Sequence, residues 1–318
     1  MLSKELAIQK LNQLGSESQP FQFITDFQGS HTFINDSASP SHLQVAIDEE
    51  PKVSPSPINL TAYPIDFKEY LRAFKEVQHH IHRGNSFLTN LTFQTPISVD
   101  TSLEVIFKSS RAKYKVLFED QFVCFSPETF VKISKAGTIS SFPMKGTIDA
   151  SEENAEQKIL SDPKETAEHI TIVDLIRNDL SRVASKVRVP NFRFISELKT
   201  NRKHLLQVSS KVEGRLPENW QNELGSILFE LLPAGSISGA PKPKTVSIIE
   251  ENETSERGFF TGICGHFDGE QLDTGVMIRF IEKSGKDYFY RSGGGITSFS
   301  DPKKEYQEML DKIYVPVY

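Results

Sequence analysis

Apolar residues along the chain switch between two spacings, one typical of helices and one typical of strands. The clearest helical pattern lies between residues 67 and 81, where apolar positions recur every three or four residues: Phe67, Tyr70, Leu71, Phe74, Val77 and Ile81. Gly84 follows as a natural C-terminal cap. This segment is therefore predicted to form an amphipathic helix.

Alternating apolar and polar positions, typical of half-buried strands, are more frequent than helical ones. They occupy SFLTNLTFQ after the helix and then KYKVLFED, QFVCFS, FVKIS, TISSF, LLQVSSKVEG, FFTGICGHF, DTGVMIRFI and DYFYRSGG. Strands thus occur before and after the central helices without a regular strand–helix alternation. The pattern predicts an α+β fold with antiparallel sheets.

The first 65 residues are interpreted as a reduced N-terminal segment packed on the core, and residues 66–318 as the main domain. The segment opens with MLSKELAIQKLNQLG, which has the spacing of an amphipathic helix, and continues with short alternating runs at FQFITDF and HTFIND. Residues 37–64 are rich in Ser and Pro, so we expect a connection and an edge strand there.

Composition and charge exclude several classes of function. Of 318 residues, 37% are hydrophobic and 25% charged, and the net charge is −6, so no broad cationic surface is expected to bind nucleic acid. No run of 18 apolar residues predicts a membrane span, and the N-terminus lacks the apolar core of a signal peptide. The two cysteines lie far apart without CxxC spacing, which favours a reducing compartment, the cytoplasm.

Two segments, DPKETAE at 162–168 and DPKKEYQE at 301–308, have the features of helix starts, because Asp is a good N-cap and Pro suits the first helical position. Each places two carboxylates at i and i+3 on one helix face: Glu165 and Glu168, then Glu305 and Glu308. If the helices converge, four carboxylates surround one point that suits Mg²⁺. The alternative is that these residues only favour the helix dipole and stay solvated.

Four further features carry candidate chemistry. PAGSISGAPK at 233–242 precedes an apolar helical run and could form an anion cradle, or merely turn the chain. RSGGGI at 291–296 lets a ligand approach the backbone, or marks a bulge or hairpin. Arg279, among apolar neighbours in a predicted strand, needs an anionic partner. Lys145 lies between Pro and Gly at a strand end, where an isolated lysine is most often solvated.

Taken together and in order, these segments resemble the chorismate-utilising enzymes, a family that includes anthranilate, aminodeoxychorismate, isochorismate and salicylate synthases. The resemblance runs from about Asp66 to Tyr314 through SPE, PMKGT, DPKETAEHITIVDLIRNDLSRV, SSKVEG, PAGSISGAPK, RGFFTGICG, MIRF, GGGI and DPKKEYQEMLDK. It implies a sandwich of two antiparallel sheets flanked by helices, with the active site in a central cleft. It also implies that residues 66–318 form a chorismate-binding catalytic domain.

The resemblance assigns a role to each candidate residue. Glu168 and Glu308 correspond to direct Mg²⁺ ligands, Glu165 and Glu305 to residues that hold metal waters, and Glu128 to the general acid that protonates the departing C4 hydroxyl. The positions that bind substrate are Ser236, Arg279, Gly293, Gly295 and Lys312.

At a few positions this chain differs from particular members of the family, and these differences limit which reaction the resemblance implies. Water-adding members carry a lysine where Leu88 stands, and Lys145 resembles the nucleophile of aminodeoxychorismate synthases, where anthranilate synthases have alanine. Lys145 is expected to act with a pKa depressed by desolvation and neighbouring cations. Gln207 and Phe260 replace a family histidine and tyrosine. Gln207 cannot serve as the base for aromatisation, and His204 should point to the opposite strand face.

The implied function is component I of an aminodeoxychorismate synthase, which aminates chorismate at C4 for p-aminobenzoate and folate synthesis. Ammonia would come from a separate glutamine amidotransferase, because the chain shows no Cys–His nucleophile pair. One alternative is an anthranilate or 2-amino-2-deoxyisochorismate synthase. An alternative of another class is a catalytically silent chorismate-binding scaffold for a glutaminase.

Overall fold

The structure is a computed structural model that describes residues 1–36, 42–53, 58–199 and 204–317. Within these ranges it contains nine α-helices and one 3₁₀ helix at Trp220–Glu223. The α-helices are α1 Lys4–Ser16, α2 Phe67–His82, α3 Leu103–Ser109, α4 Ala155–Ser161, α5 Pro163–Ser181, α6 Leu224–Glu230, α7 Gly235–Ser238, α8 Lys242–Asn252 and α9 Pro302–Asp311.

Seventeen strands in the described ranges form two antiparallel sheets. They are β1 Phe21–Thr25, β2 Thr32–Asp36, β3 Leu43–Ile47, β4 Leu60–Ala62, β5 Leu88–Val99, β6 Tyr114–Phe118, β7 Phe122–Ser126, β8 Thr129–Ile133, β9 Thr138–Ser141, β10 Met144–Asp149, β11 Ser185–Lys199, β12 His204–Arg215, β13 Gly239–Ala240, β14 Ile263–Phe267, β15 Leu272–Val276, β16 Phe280–Ser284 and β17 Asp287–Ile296.

The strand order differs from the chain order in both sheets. The first sheet runs β10-β12-β9-β8-β15-β14-β1-β2, with β11 paired to β12. The second runs β13-β5-β17-β16-β7-β6-β3, with β4 paired to β5. The predicted α+β class with two antiparallel sheets is confirmed.

Apolar residues that alternate along the strands form the layer between the two sheets. This cluster joins Ile24 and Cys264 of the first sheet to Tyr114, Cys124 and Phe280 of the second. Full burial of one large apolar side chain contributes about 1.5–3 kcal/mol, so this layer is a major source of stability. Helices cover the outer faces: α2, α8 and α9 pack on the second sheet, and α1, α5 and α6 on the first.

The amphipathic helix expected over residues 67–81 is confirmed as α2. Its N-cap, Asp66, accepts a hydrogen bond from the backbone N–H of Lys68 at 2.8 Å, and Gly84 beyond its C-terminus has φ +75°. The buried residues are those of the apolar stripe, among them Tyr70 and Val77. The stripe therefore fixes which face of α2 meets the sheet.

The N-terminal segment contributes strands to both sheets. β1 pairs with β14, and β3 pairs with β6 at the edge of the second sheet. The helix expected at the N-terminus is α1, and the expected edge strand between residues 37 and 64 is β3. The rest of that Ser/Pro-rich stretch includes 37–41 and 54–57, which lie outside the described residues. The division at residue 65 stays a prediction.

The single strand predicted for DTGVMIRFI is wrong. The chain forms β15 in the first sheet, leaves it at residues 277–279, and enters the second sheet as β16. Arg279, at the end of this crossing, has φ +55°. Local alternation cannot reveal which sheet a strand joins, because both segments have the same period-two pattern. The crossing therefore places Arg279 between the sheets rather than within a strand.

No helix in the described part of the chain combines the length and apolarity needed to span a bilayer.

Candidate active site

The two predicted helix starts are confirmed at α5 and α9. The side chain of Asp162 accepts a hydrogen bond from the backbone N–H of Glu165 at 2.9 Å. The side chain of Asp301 accepts hydrogen bonds from the backbone N–H groups of Lys303 and Lys304, each at 3.0 Å. In both helices a proline occupies the first turn, where no intrahelical N–H donor is needed. The caps fix where each helix begins and therefore which face of the helix carries its two carboxylates.

The carboxylates of α5 lie against β10. Glu168 contacts Lys145, with 2.9 Å between Oε2 and Nζ. Gly146 has φ +82°, and a Cβ there would lie 3.0 Å from Oε2 of Glu165. Glycine therefore permits both the backbone conformation and the close approach of β10 to α5.

The carboxylates of α9 lie against the glycine-rich strand β17. A Cβ on Gly294 would lie 3.4 Å from Oε2 of Glu305 and 3.6 Å from Oε1 of Glu308. Lys312 donates hydrogen bonds to Oε1 of Glu308 at 2.6 Å and to the carbonyl oxygen of Gly293 at 2.7 Å. The absence of a side chain at Gly294 thus lets α9 approach β17 with its charged face.

Lys145 connects the two helix starts. Glu168 and Glu165 on α5 and Glu308 on α9 all act electrostatically on its ammonium group. The predicted convergence of the two acidic motifs is supported by this shared neighbour. In the part of the chain that the structure describes, however, no three His, Cys, Asp or Glu side chains lie close enough together to form a metal-binding group. The oxygen donors suit Mg²⁺ chemically, and the metal stays a prediction.

The expectation of a depressed Lys145 pKa is wrong. Burial lowers the pKa, but the Glu168 carboxylate, aided by Glu308 and Glu165, outweighs burial and holds the pKa above its ordinary value. From the sequence, only desolvation and neighbouring cations were considered as influences on the pKa of Lys145. The sequence could not show that a carboxylate lies in direct contact with the amine.

Glu128 and Ser236 form the second part of the site. The Ser236 hydroxyl donates a short hydrogen bond to Oε1 of Glu128, and the backbone N–H of Glu128 donates to Oγ of Ser126 at 3.1 Å. Burial raises the pKa of Glu128, and the hydrogen bond from Ser236 offsets this only in part. A carboxyl group with a raised pKa keeps its proton to higher pH, as a general acid requires.

Arg279 and Lys312 supply positive charge beside Glu128. Both lower the pKa of Glu128, although less than burial raises it. Burial, together with the charge of Arg279, lowers the pKa of Lys312, while Glu308 opposes this shift. The guanidinium of Arg279 lies over the ring of Tyr314, 5.6 Å from its centroid, and its Nε lies 3.5 Å from the Tyr314 hydroxyl. Two cations thus share a region of the site.

The residues that depart from the family pattern lie near the same region. Leu88 is buried, and a Cβ on Gly295 would lie 2.9 Å from its Cδ1. Gln207 on β12 pairs with Thr147 on β10, two residues beyond Lys145. His204 is three positions before Gln207 on β12, on the opposite strand face as expected, and is exposed.

Phe260, the other departure, packs between the sheets, with its ring centroid 5.9 Å from that of Phe280. A hydroxyl at this position would need a hydrogen-bond partner in an apolar layer. Phe260 therefore serves packing.

Sequence reasoning missed two buried polar residues on α5. His169 is fully buried, with Nε2 2.7 Å from Oγ of Ser210, and burial, with Arg193, lowers its pKa to about 4. Asp179 forms an ion pair with Lys242 at 2.7 Å. Each lies three residues from a buried isoleucine and therefore on the apolar face of α5. A polar residue on the apolar face of a predicted helix is the signal that could have revealed them.

Carboxyl, ammonium and guanidinium groups meet beside a glycine-rich strand, an arrangement typical of an enzyme active site. The chain belongs to the chorismate binding enzyme family, whose model matches residues 13–317.

Relatives and solved structures agree with this membership. An uncharacterised PabA-like protein of Haemophilus influenzae is 46% identical over 98% of this chain and 96% of its own length. Aminodeoxychorismate synthase component 1 of Bacillus subtilis is 30% identical over 94% of this chain and 66% of its own length. The crystal structure of anthranilate synthase component I from Streptococcus pneumoniae is 26% identical, with a TM-score of 0.68 over 85% of this chain and 61% of that one.

The isochorismate synthase MenF of Escherichia coli shares the fold alone. Its sequence is 16% identical, and its TM-score is 0.76 over 98% of this chain and 81% of that one. The same sandwich therefore occurs in an enzyme named for a different reaction.

Proposed function

We propose that the chain is component I of an aminodeoxychorismate synthase, which aminates chorismate at C4 to give 4-amino-4-deoxychorismate for p-aminobenzoate and folate synthesis. The observation that carries the proposal is the position of Lys145, a primary amine in contact with Glu168 and within the field of both acidic helix starts. An amine at the centre of such a site can act as a nucleophile. Alanine there, as in the anthranilate type, could not.

The cations of the site suit the two carboxylates of chorismate. Arg279 lies close enough to Lys312 to lower its pKa, and the backbone of Gly293 and Gly295 on β17 would bind the substrate's carboxylates, as the family resemblance implies. Bound Mg²⁺, held by Glu168 and Glu308 with Glu165 and Glu305 beside them, would supply a further positive charge for a ring carboxylate. Ser236 would lie beside the substrate.

Glu128 is the proposed general acid. Hydroxide is a poor leaving group, so the C4 oxygen must receive a proton as the C4–O bond breaks and then departs as water. The raised pKa of Glu128 favours the protonated form that performs this transfer.

Lys145 is the proposed covalent nucleophile. Its neutral nitrogen forms a bond to C2 and loses a proton, the two ring double bonds shift from C1=C2 and C5=C6 to C1=C6 and C4=C5, and the C4–O bond breaks as the oxygen takes the proton of Glu128 and leaves as water. Ammonia then bonds to C4 and loses a proton, both double bonds shift back, and the C2–N bond breaks as the lysine nitrogen regains a proton and is released. Since the nearby carboxylates hold the amine in its ammonium form, it must first lose a proton before it can act as a nucleophile.

The proposed source of ammonia is a separate glutamine amidotransferase subunit. Releasing ammonia from glutamine needs an activated thiolate. Both cysteines are buried and free, burial raises the pKa of Cys264 to about 12, and burial also raises that of Cys124. Neither thiol can ionise at working pH. Free buried thiols also suit the cytoplasm, where we propose that the enzyme acts.

The proposal is tested by ammonium-dependent chorismate consumption in the purified chain with Mg²⁺. Wild type should consume chorismate, and Lys145→Ala should lose most of this activity. Lys108→Ala, which removes an exposed lysine paired with Glu104, serves as the matched control and should behave as wild type. A wild-type chain that binds chorismate without consuming it would instead support the scaffold alternative.

A further inference from the structure

A buried ion pair joins α5 to the segment that carries Ser236. Oδ2 of Asp179 lies 2.7 Å from Nζ of Lys242, and both side chains are about one-tenth exposed. Lys242 also donates a hydrogen bond to the carbonyl oxygen of Leu231 at 2.8 Å. The lysine therefore bridges the two ends of the segment 231–242 and fastens them to α5.

Asp179 touches this segment next to Ser236. A Cβ on Gly235 would lie 2.9 Å from Oδ2 of Asp179 and 3.1 Å from the side chain of Leu175. Only glycine lets the carboxylate approach the backbone this closely. The next residue, Ser236, donates its hydroxyl to Glu128, so the ion pair and this hydrogen bond hold adjacent residues of one short helix.

A small cavity lies between the ion pair and Glu128. Its volume is about 20 Å³, and Glu128, Ser236 and Asp179 contribute to its walls together with apolar side chains that include Phe130 and Leu180. This volume is enough for one water molecule. The packing around Ser236 is thus loose on one side, and the ion pair supplies the restraint that packing does not.

We propose that Asp179 and Lys242 are positioning residues that hold Ser236 in hydrogen-bond contact with Glu128. Buried ion pairs are costly to desolvate and contribute little net stability, and in some proteins they instead specify one arrangement of the groups around them. The proposal rests on the role of Glu128 as general acid, because that role gives the hydrogen bond a catalytic consequence.

The hydrogen bond from Ser236 lowers the pKa of Glu128, so its loss should raise that pKa. Asp179→Asn and Ser236→Ala should therefore both shift the alkaline limb of the kcat profile to higher pH. The double variant should show the same shift as Ser236→Ala alone, because both changes remove one contact. Lys242→Arg keeps the ion pair and should keep the wild-type profile.

A direct titration separates this inference from the proposed function. The infrared carbonyl band of protonated Glu128, assigned by its loss in Glu128→Gln, reports the pKa without any turnover. If the pH at which this band disappears is higher in Asp179→Asn than in wild type, the inference is supported even if the chain does not aminate chorismate. The inference is overturned if the titration of the band is unchanged in Asp179→Asn. It is also overturned if the shifts of Asp179→Asn and Ser236→Ala add in the double variant.

Two further variants keep the test conclusive. Asp179→Leu with Lys242→Met removes both charges without leaving one unpaired, and should give the same band shift if Asp179→Asn does not fold. Asp174→Asn breaks an exposed ion pair with Arg177 on α5 and should leave the titration of the band unchanged. A shift of equal size in Asp174→Asn would mean that any disturbance of α5 moves the pKa of Glu128, which would overturn the assignment.

Discussion

Lys145 shows how strongly the chemistry of one residue depends on its neighbours. The sequence identified it as a candidate, because it lies between Pro and Gly in a segment that resembles the family pattern. Its protonation could not be inferred, since the contact with Glu168 joins residues 23 positions apart in the sequence. The same holds for Asp179 and Lys242, whose pairing depends on how α5 packs.

Replacing Lys145 should remove the covalent route. Lys145→Ala should lower the rate of ammonium-dependent amination by roughly a hundredfold, because it removes the amine that lies 2.9 Å from Glu168. Lys145→Arg keeps the positive charge but lacks a nucleophilic amine and should be equally impaired. Product formation is measured by chromatography with mass detection. Wild-type rates in both variants would exclude a covalent lysine intermediate.

The raised pKa of Glu128 predicts a pH dependence. The acid is active when protonated, so kcat should fall as pH rises through its pKa, which lies above that of an ordinary glutamate. Glu128→Gln should lower kcat by roughly a hundredfold or more and abolish this limb. The pH profile of kcat at saturating chorismate is the measurement. An unchanged limb in Glu128→Gln would assign it to another group.

At the scale of elements, local sequence signals were sufficient to predict where a helix begins with its own N-cap. The Asp-Pro starts of α5 and α9 were predictable because caps depend on residues a few positions apart. The crossing from β15 to β16 was not, because sheet membership depends on pairing with strands distant in sequence. The spacing of apolar residues therefore predicted which segments are helices or strands and which face is buried, but not the placement of Arg279.

The paired helix starts predict a Mg²⁺ requirement. Glu168→Ala and Glu308→Ala should each reduce activity more than about a hundredfold, since each removes a hard oxygen ligand. Mg²⁺ affinity, measured by calorimetry, should fall while the melting temperature changes little. Asp174→Ala, on the exposed face of α5 and paired with Arg177, is the control. Full activity of wild type in excess chelator would contradict the prediction.

At the scale of the whole molecule, the sandwich fold alone does not determine the reaction. The same fold occurs in MenF at 16% identity, so the assignment depends on Lys145, Leu88 and Glu128. The resemblance implied a central cleft and the residues expected to line it, and both stay predictions. The fold positions these groups at the junction of two sheets and two helix starts, which no local pattern reveals.

The chain alone should use ammonium but not glutamine. Its cysteines are buried with raised pKa values, so neither provides the thiolate that glutamine hydrolysis needs. Amination by the purified chain should therefore be at background level with glutamine and rise when a compatible amidotransferase is added. Equal activity with glutamine and ammonium, without a second protein, would refute this.

Product identity after complete conversion of chorismate with ammonium and Mg²⁺ tests the central claim most directly. Aromatisation needs a base to remove a ring proton, and Gln207 stands where that base is expected. We expect 4-amino-4-deoxychorismate with its enolpyruvyl group intact and no pyruvate. Anthranilate, with pyruvate released in step with chorismate loss and no added lyase, would contradict it.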